Sequence, residues 1–452
     1  MSAAIFGHRS ESWIGRSLPP YPRSPPAIPQ RLYPPGTTPH PESLLMEILA
    51  DVGGRPGIDC KGFCSYCYFK GVKTEGLRPF GCKRCLPFAK GCDYCSRAIA
   101  EAYPGFKPLE TVAVEVAGAA FGRRPDKVTI SGGGDLSCYP RLLDLARMVG
   151  QGGVPIHLGY TSGKGFVRGD EADALMEAGV REVSFTVFST DPELRRRHMN
   201  DRNPEAALAN LRKFAEGCDV YAACVLLPGV NDGPELDRTC RDLEEMGVKN
   251  LILMRFANKR EQGLILGNEP IIPGVVPHTI DEFRDIVTQT NEKYSFRVAG
   301  TPLWDPVTKS PFALARHKDA IRRLPPLRKR ATVITSSVAG PLLSAIFAEL
   351  GDLVNVVAVD KDIGCLITIQ DLLALDLSKV QETVILPGRT MAFDPEIRKV
   401  LSRDGVSRLV RRGPDRLTVD GEMSISMTPE EVIEVEVEAF AELIEEINGL
   451  GV

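Results

Sequence analysis

Seven of the twelve cysteines in this chain fall between Cys60 and Cys95, and that crowding constrains the fold more than any other feature. The other five, Cys138, Cys218, Cys224, Cys240 and Cys365, are scattered. Disulfide frameworks belong to short secreted chains, whereas this one has 452 residues. No apolar run reaches membrane-spanning length, and the N-terminus lacks the apolar core of a signal peptide, so a cytoplasmic protein is expected. In that reducing setting, clustered cysteines are more often metal ligands than disulfide partners. The composition, 43% hydrophobic and 25% charged, is that of an ordinary soluble protein, and a net charge of −4 gives no basic field for nucleic acid.

Residues 1–42 are proline-rich and read as an extended arm. A short helix over Ser43–Ala50 is expected next, then the cysteine segment. Beyond it, strand and helix patterns alternate. Strands are predicted near Lys127–Ser131, Ile156–Thr161, Glu182–Phe188, Val220–Leu227, Asn250–Arg255 and Ser295–Ala299. Helices are expected over Tyr139–Gly150, Asp170–Ala178, Pro204–Gly217 and Gly233–Met246. That alternation predicts an α/β fold, a partial β/α (TIM-like) barrel of about six repeats with its site at the C-terminal strand ends. The stretch RRLPPLRKR, Arg322–Arg330, reads as a linker between a domain over 43–322, containing a metal loop at 80–97, and a second α/β domain over 323–452. The second domain is expected to hold strands near Thr332–Ser336, Val354–Val359 and Thr383–Leu386, with helices over Gly340–Leu350 and Thr428–Asn448.

Cys60, Cys64 and Cys67 form a CxxxCxxC motif with Tyr66 before the last cysteine. Three thiolates on a tight loop can take three irons of a 4Fe–4S cube and leave the fourth open for the amino and carboxylate groups of S-adenosyl-L-methionine (SAM). The motif resembles that of radical SAM enzymes. Strand Lys127–Ser131 is followed by Gly132, Gly133, Gly134 and Asp135, similar to the family's glycine turn that approaches SAM through its backbone. Asp135 stands where that turn usually carries glutamate. Thr161, Ser162 and Ser189 end later strands and are further SAM-binding candidates, or helix caps.

Cys82, Cys85, Cys92 and Cys95 make two CxxC knuckles that can enclose one zinc or iron ion in four thiolates, a closed and therefore structural shell. The run from Gly53 to Cys95 resembles the methanogenesis marker protein 10 family, cobalamin-dependent radical SAM arginine C-methyltransferases. The resemblance implies methylation at Cδ of one arginine, giving 5-methylarginine, in the α subunit of methyl-coenzyme M reductase. It implies cobalamin, working as methylcobalamin, in the C-terminal domain, a mononuclear iron on the knuckles, and a donor such as a low-potential ferredoxin. It also implies a tyrosine that ligates the open iron when SAM is absent, with Tyr103 as candidate and Tyr94 and Tyr139 as rivals.

No D-x-H-x-x-G motif occurs, and none of the six histidines lies in one, so cobalamin is expected without a histidine from such a motif below it. Ser336, Ser337 and Gly340, in a strand-to-helix turn, are candidate cobalamin contacts, with Gly364 and Thr368 in the segment Asp360–Thr368. Asp135, Glu182 and Asp305 are candidate partners for a substrate guanidinium, and Arg255 and Asn258 for polar groups of SAM or cobalamin. Two rival readings stand: a radical SAM oxidoreductase with an auxiliary cluster on the knuckles, and a non-catalytic zinc-stabilised binding module.

Overall fold

Two parallel sheets organise the computed structural model, which describes residues 46–72, 105–120, 122–301, 304–414, 417 and 421–451. All of these belong to one compact unit, Leu45–Val452. The proline-rich arm, the knuckle cysteines Cys82, Cys85, Cys92 and Cys95, and Tyr94 and Tyr103 lie outside the described residues.

The first sheet has seven strands, β1 (Glu47–Asp51), β2 (Lys127–Ser131), β3 (Ile156–Thr161), β4 (Val180–Thr186), β5 (Asp219–Leu226), β6 (Asn250–Arg255) and β7 (Arg297–Thr301). They are hydrogen-bonded in sequence order and parallel throughout. Helices α1 (Leu109–Ala120), α2 (Leu142–Val149), α3 (Glu171–Glu177), α4 (Pro204–Gly217), α5 (Gly233–Met246) and α6 (Ile280–Lys293) make the crossovers. The result is an open β/α barrel.

Strand β5 shows why the pattern works. Val220, Ala222, Cys224 and Leu226 join the core beneath the helices, while Ala223 faces a separate inner cluster with Ile252, Ala299 and Ile425. The period of two sorts side chains between the helix layer and the barrel interior. On α5, Leu236, Cys240 and Leu243 are buried at helical spacing, and Gly247 closes the helix in the left-handed conformation (φ 82°). Each fully buried leucine of this kind contributes roughly 1.5–3 kcal/mol.

The second sheet comprises β8 (Ala331–Ser336), β9 (Val354–Val359), β10 (Thr383–Leu386) and β11 (Leu409–Arg412), parallel in the order β11-β10-β8-β9. Helices α7 (Ala339–Leu350), α8 (Asp394–Leu401) and α9 (Pro429–Leu450) accompany it. Strand order reverses between β8 and β10. Crevices at the carboxyl ends of strands form at such switch points.

The structure corrects the expected helix over Ser43–Ala50. Glu47–Asp51 is instead the edge strand β1, registered on Lys127–Ser131 of β2, with Ile48 and Ala50 buried on one side. Pairing with β2 overrides the local helical preference, and the barrel has seven strands rather than about six. Strand β11 was not expected. The stretch Arg322–Arg330 is not a loose tether. Arg323 pairs with Glu434 at 2.5 Å, the Arg328 N–H donates to Asn448, Asn448 donates to the Pro326 carbonyl, and Leu324 is buried. Arg323 thus reaches the acidic helix α9, while Arg322 pairs with Asp319. Among the described residues, no helix is long and apolar enough to cross a membrane.

Candidate functional site at the C-terminal strand ends

The loop after β1 carries Cys60, Cys64 and Cys67, all half-buried and none in a disulfide. It is fastened to the loop after β4: the Ser65 N–H donates to the His198 carbonyl at 2.7 Å, and the Cys64 thiol lies 3.6 Å from the Met199 carbonyl. Gly62 has φ 120°, and a Cβ there would lie 1.9 Å from the Asn200 amide nitrogen, so the loop reaches its seat only with glycine. The Gly57 N–H donates to the Cys60 sulfur at 3.3 Å. Burial pushes the Cys60 thiol up to about 11 and the Cys67 thiol to about 12, and raises Cys64 too. Among the described residues no three His, Cys, Asp or Glu side chains close around a single ion. A cube takes each thiolate on a different iron, so its ligands stand farther apart than those of one ion.

Tyr66, within this loop, is buried and stacked on Phe188 with centroids 4.8 Å apart, its hydroxyl near the Cys64 thiol. The glycine turn packs against the start of the same loop. The Gly133 N–H donates to the Gly53 carbonyl at 2.9 Å, and a Cβ on Gly54 would lie 2.7 Å from the Gly134 nitrogen. Asp135 is 6% exposed and accepts from the Ser137 N–H and hydroxyl, the Thr161 hydroxyl, and the Ser162 N–H and hydroxyl. Its carboxylate thus ties the ends of β2 and β3 together. Ser189 donates to Glu235 at 2.5 Å and accepts from the Asp191 N–H, as a turn residue does. Glu182 pairs with Lys127, and Asp305 with Arg297, so both carboxylates already have cationic partners. Tyr139 is a core residue whose hydroxyl donates to the Lys107 carbonyl.

Three residues beside the loop were not singled out in the sequence. Arg195 and Asp201 form an ion pair at 2.7 Å with both side chains fully buried, and Arg195 also donates to the Ser162 and Val187 carbonyls. Lys164, 2% exposed, donates to the Gly62 carbonyl at 2.7 Å. A run of three arginines and the TSGKG turn were the only local signals, and neither reveals burial.

A second site occupies the switch point of the second sheet. An open-mouthed, mainly apolar pocket lies between the carboxyl ends of β8 and β10, with about 880 Å³ of space that includes its mouth to solvent. Val338, Leu343, Ile385 and Leu386 supply apolar wall, and Ser336, Gly364, Gly388 and Gly413 also line it. Ser336 and Gly364 therefore line one cavity, whereas Ser337, Gly340 and Thr368 stand outside the lining. Ser337 donates to the Lys361 carbonyl, Gly340 packs inside α7 against Ala358, and Thr368 caps the helical turn Ile369–Leu373 with Asp371.

The two sites are joined through the loops after β6 and β9. Arg255 donates to Asp362, a cavity-lining residue, at 2.6 Å with only 7% and 14% of the two side chains exposed. Lys361, fully buried, donates to the Arg260 carbonyl, and the Asp362 N–H donates to the Glu261 carbonyl. Tyr68, directly after Cys67, donates to the Arg255 carbonyl at 3.4 Å. Asn258 instead folds its own loop, donating to the Ile272 and Val275 carbonyls.

A parallel open barrel with a cysteine loop after its first strand is the architecture of the radical SAM class, and residues 89–243 match the family model described as the radical SAM superfamily. The chain carries a domain of that superfamily, whose cofactors are a 4Fe–4S cluster and SAM. The matched stretch begins after Cys67, so it concerns the strand–helix repeats and not the three-cysteine loop.

Similar solved structures include SuiB of Streptococcus suis, at 11% identity and TM-score 0.38, covering 57% of this chain and 50% of that one. Coproporphyrinogen III oxidase (HemN) of Escherichia coli is similar at 16% identity and TM-score 0.35, covering 55% of this chain and 52% of that one. A radical SAM methyltransferase from Sphaerobacter thermophilus is similar at 18% identity and TM-score 0.33, covering 46% of this chain and 62% of that one. The chain thus spans about half the length of SuiB. No curated protein sequence matches it.

Proposed function

We propose that this enzyme is a radical SAM, cobalamin-dependent methyltransferase that C-methylates an arginine, at Cδ, in the α subunit of methyl-coenzyme M reductase. The observation that supports this reading most is the joining of two sites in one unit: a three-cysteine loop in the barrel and an open apolar pocket at a switch point, bridged by Arg255 and Asp362. The arginine and its parent protein rest on the resemblance carried by Gly53–Cys95.

The donor set at the first site suits a cluster: three adjacent half-buried thiols, an N–H aimed at the Cys60 sulfur, and glycines that let backbone approach closely. When bound, the cluster with SAM would supply one-electron cleavage of a sulfonium C–S bond, and cobalamin would supply a methyl donor, chemistry that an unactivated sp³ carbon requires. Cys60, Cys64 and Cys67 would hold the cluster. Gly133 and Gly134 offer backbone beside it, and Asp135 fixes Thr161 and Ser162 at the adjoining strand ends. Ser336 and Gly364 would meet the corrinoid, while Val338, Leu343 and Ile385 exclude water around it. Cys82, Cys85, Cys92 and Cys95 would hold a mononuclear iron or zinc, and a low-potential ferredoxin would deliver electrons.

The test is anaerobic reconstitution with iron, sulfide and hydroxocobalamin. SAM, a low-potential reductant and a peptide spanning an arginine of the reductase α subunit are then added. The expected outcome is bound corrin, a peptide heavier by one methylene, and both 5′-deoxyadenosine and S-adenosylhomocysteine. Methylation without any 5′-deoxyadenosine, or an enzyme that binds no corrin, overturns the reading.

A further inference from the structure

Lys164 is the most unusual charge in the barrel. Its side chain is 2% exposed, and among the described residues it makes no ion pair; its one hydrogen bond runs to the Gly62 carbonyl, between Cys60 and Cys64. Taking a cation out of water without an anion costs several kcal/mol. The neighbouring charges do not pair with it directly. Arg195 is matched by Asp201. Asp135 is buried, but its oxygens are occupied by donors from Ser137, Thr161 and Ser162. Lys61 is turned to the Gly165 carbonyl, and Asp59 is paired with Arg55. What Lys164 touches is the cysteine loop itself, through the Gly62 carbonyl, and its charge favours the thiolates of Cys60, Cys64 and Cys67, while that of Asp135 opposes those of Cys60 and Cys64.

We propose that Lys164 is the built-in counter-charge of the cluster site, a positioning residue that holds the cysteine loop through Gly62 and makes one-electron reduction of the cluster easier. This rests on the reading that the three cysteines hold a 4Fe–4S cluster. A cluster on three thiolates is an anion and becomes more negative on reduction. In a water-poor site a fixed ammonium therefore stabilises the reduced form more than the oxidised form. The lysine's burial, costly beside neutral thiols, becomes favourable once the thiolates are on iron.

The experiment is a redox titration of the cluster-loaded full chain, followed by electron paramagnetic resonance, for wild type, Lys164→Gln and Lys164→Arg. Glutamine keeps a donor for the Gly62 carbonyl and removes the charge; arginine keeps both. Lys164→Gln is expected to lower the equilibrium constant for reduction about tenfold, equivalent to about 59 mV for one electron, and Lys164→Arg to restore it. A Lys164→Gln chain that loses the cluster while Lys164→Arg keeps it supports the same conclusion. An unchanged potential in Lys164→Gln overturns it, as does loss of the cluster in both variants, because shape rather than charge would then be what matters. Wild-type chain that assembles no cluster sinks the functional reading itself, and is recognised before any variant is compared.

Discussion

The cysteine-loop end of the barrel and the cavity of the second sheet are built from opposite materials. The first is crowded with buried charge: Asp135, Lys164, Arg195 and Asp201 are each at most 6% exposed. The second is walled by Val338, Leu343, Ile385 and Leu386 with glycine at its turns. A compact anionic cluster with a zwitterionic, sulfonium-bearing cosubstrate calls for fixed charges and oriented dipoles. The large planar ring proposed for the second would call for apolar area and close backbone, because each unsatisfied buried polar group would cost about 1–3 kcal/mol. Charge stands near the cavity too, and Asp362 in its lining is paired with Arg255. Glu436 of α9 accepts from the Ala313 and Leu314 N–H groups beside the cavity-lining Phe312, and burial pushes its carboxyl up to about 7.

The contrast can be broken at its strongest point, the Arg195–Asp201 pair. Removing one partner leaves a fully buried, uncompensated charge. Asp201→Ala is expected to lower stability by about 3–5 kcal/mol in urea unfolding. A loss below about 1 kcal/mol would mean that the charges at this end are solvated after all.

Glu436 gives the next largest effect, and its sign is fixed. Its carboxyl is raised in the folded chain above the ordinary 4.5, so the folded state binds the proton more tightly than the unfolded state. The stability this contributes is full below about pH 4.5 and is lost as pH rises through about 7. The change is on the order of 3 kcal/mol. Unfolding measured across that window should show the slope in wild type and its disappearance in Glu436→Gln.

The bridge between the regions comes third. Asp362→Asn is expected to cost about 2 kcal/mol, less than a fully buried pair because both side chains retain some exposure. It should also raise the 5′-deoxyadenosine formed per methylated peptide, because the two sites would no longer be held in register. Equal losses of both products would make the pair a fold contact alone.

The smallest change sharpens the contrast. Ser336→Phe is expected to fill the cavity and weaken hydroxocobalamin binding at least about tenfold, about 1.4 kcal/mol, with iron and sulfide content unchanged. If the iron content falls instead, the two regions are not independent sites.

Much of the barrel was legible because its signals are local. The strands Lys127–Ser131, Ile156–Thr161 and Asn250–Arg255 lie where their apolar runs predict, and Pro204–Gly217 and Gly233–Met246 are helices with proline near the first turn. The edge strand β1 was misread because five residues carry too little pattern to outweigh helical propensity without β2 beside them. Ser336 and Gly364 line the cavity because they stand in turns at strand ends. Ser337, Gly340 and Thr368 share those turns but point elsewhere, which sequence spacing does not resolve.

By itself, the sequence determined the spacing of Cys60, Cys64 and Cys67, the glycine turn after β2 and the alternation that makes a parallel α/β chain, because each depends on residues within a few positions of one another. Only the tertiary structure decided that Lys164 would lie against Gly62, that Arg195 would be buried with Asp201, and that Arg255 would grip Asp362. Those outcomes depend on which strand ends meet. A charged side chain carries no mark in the sequence of whether water or another buried charge will be its partner.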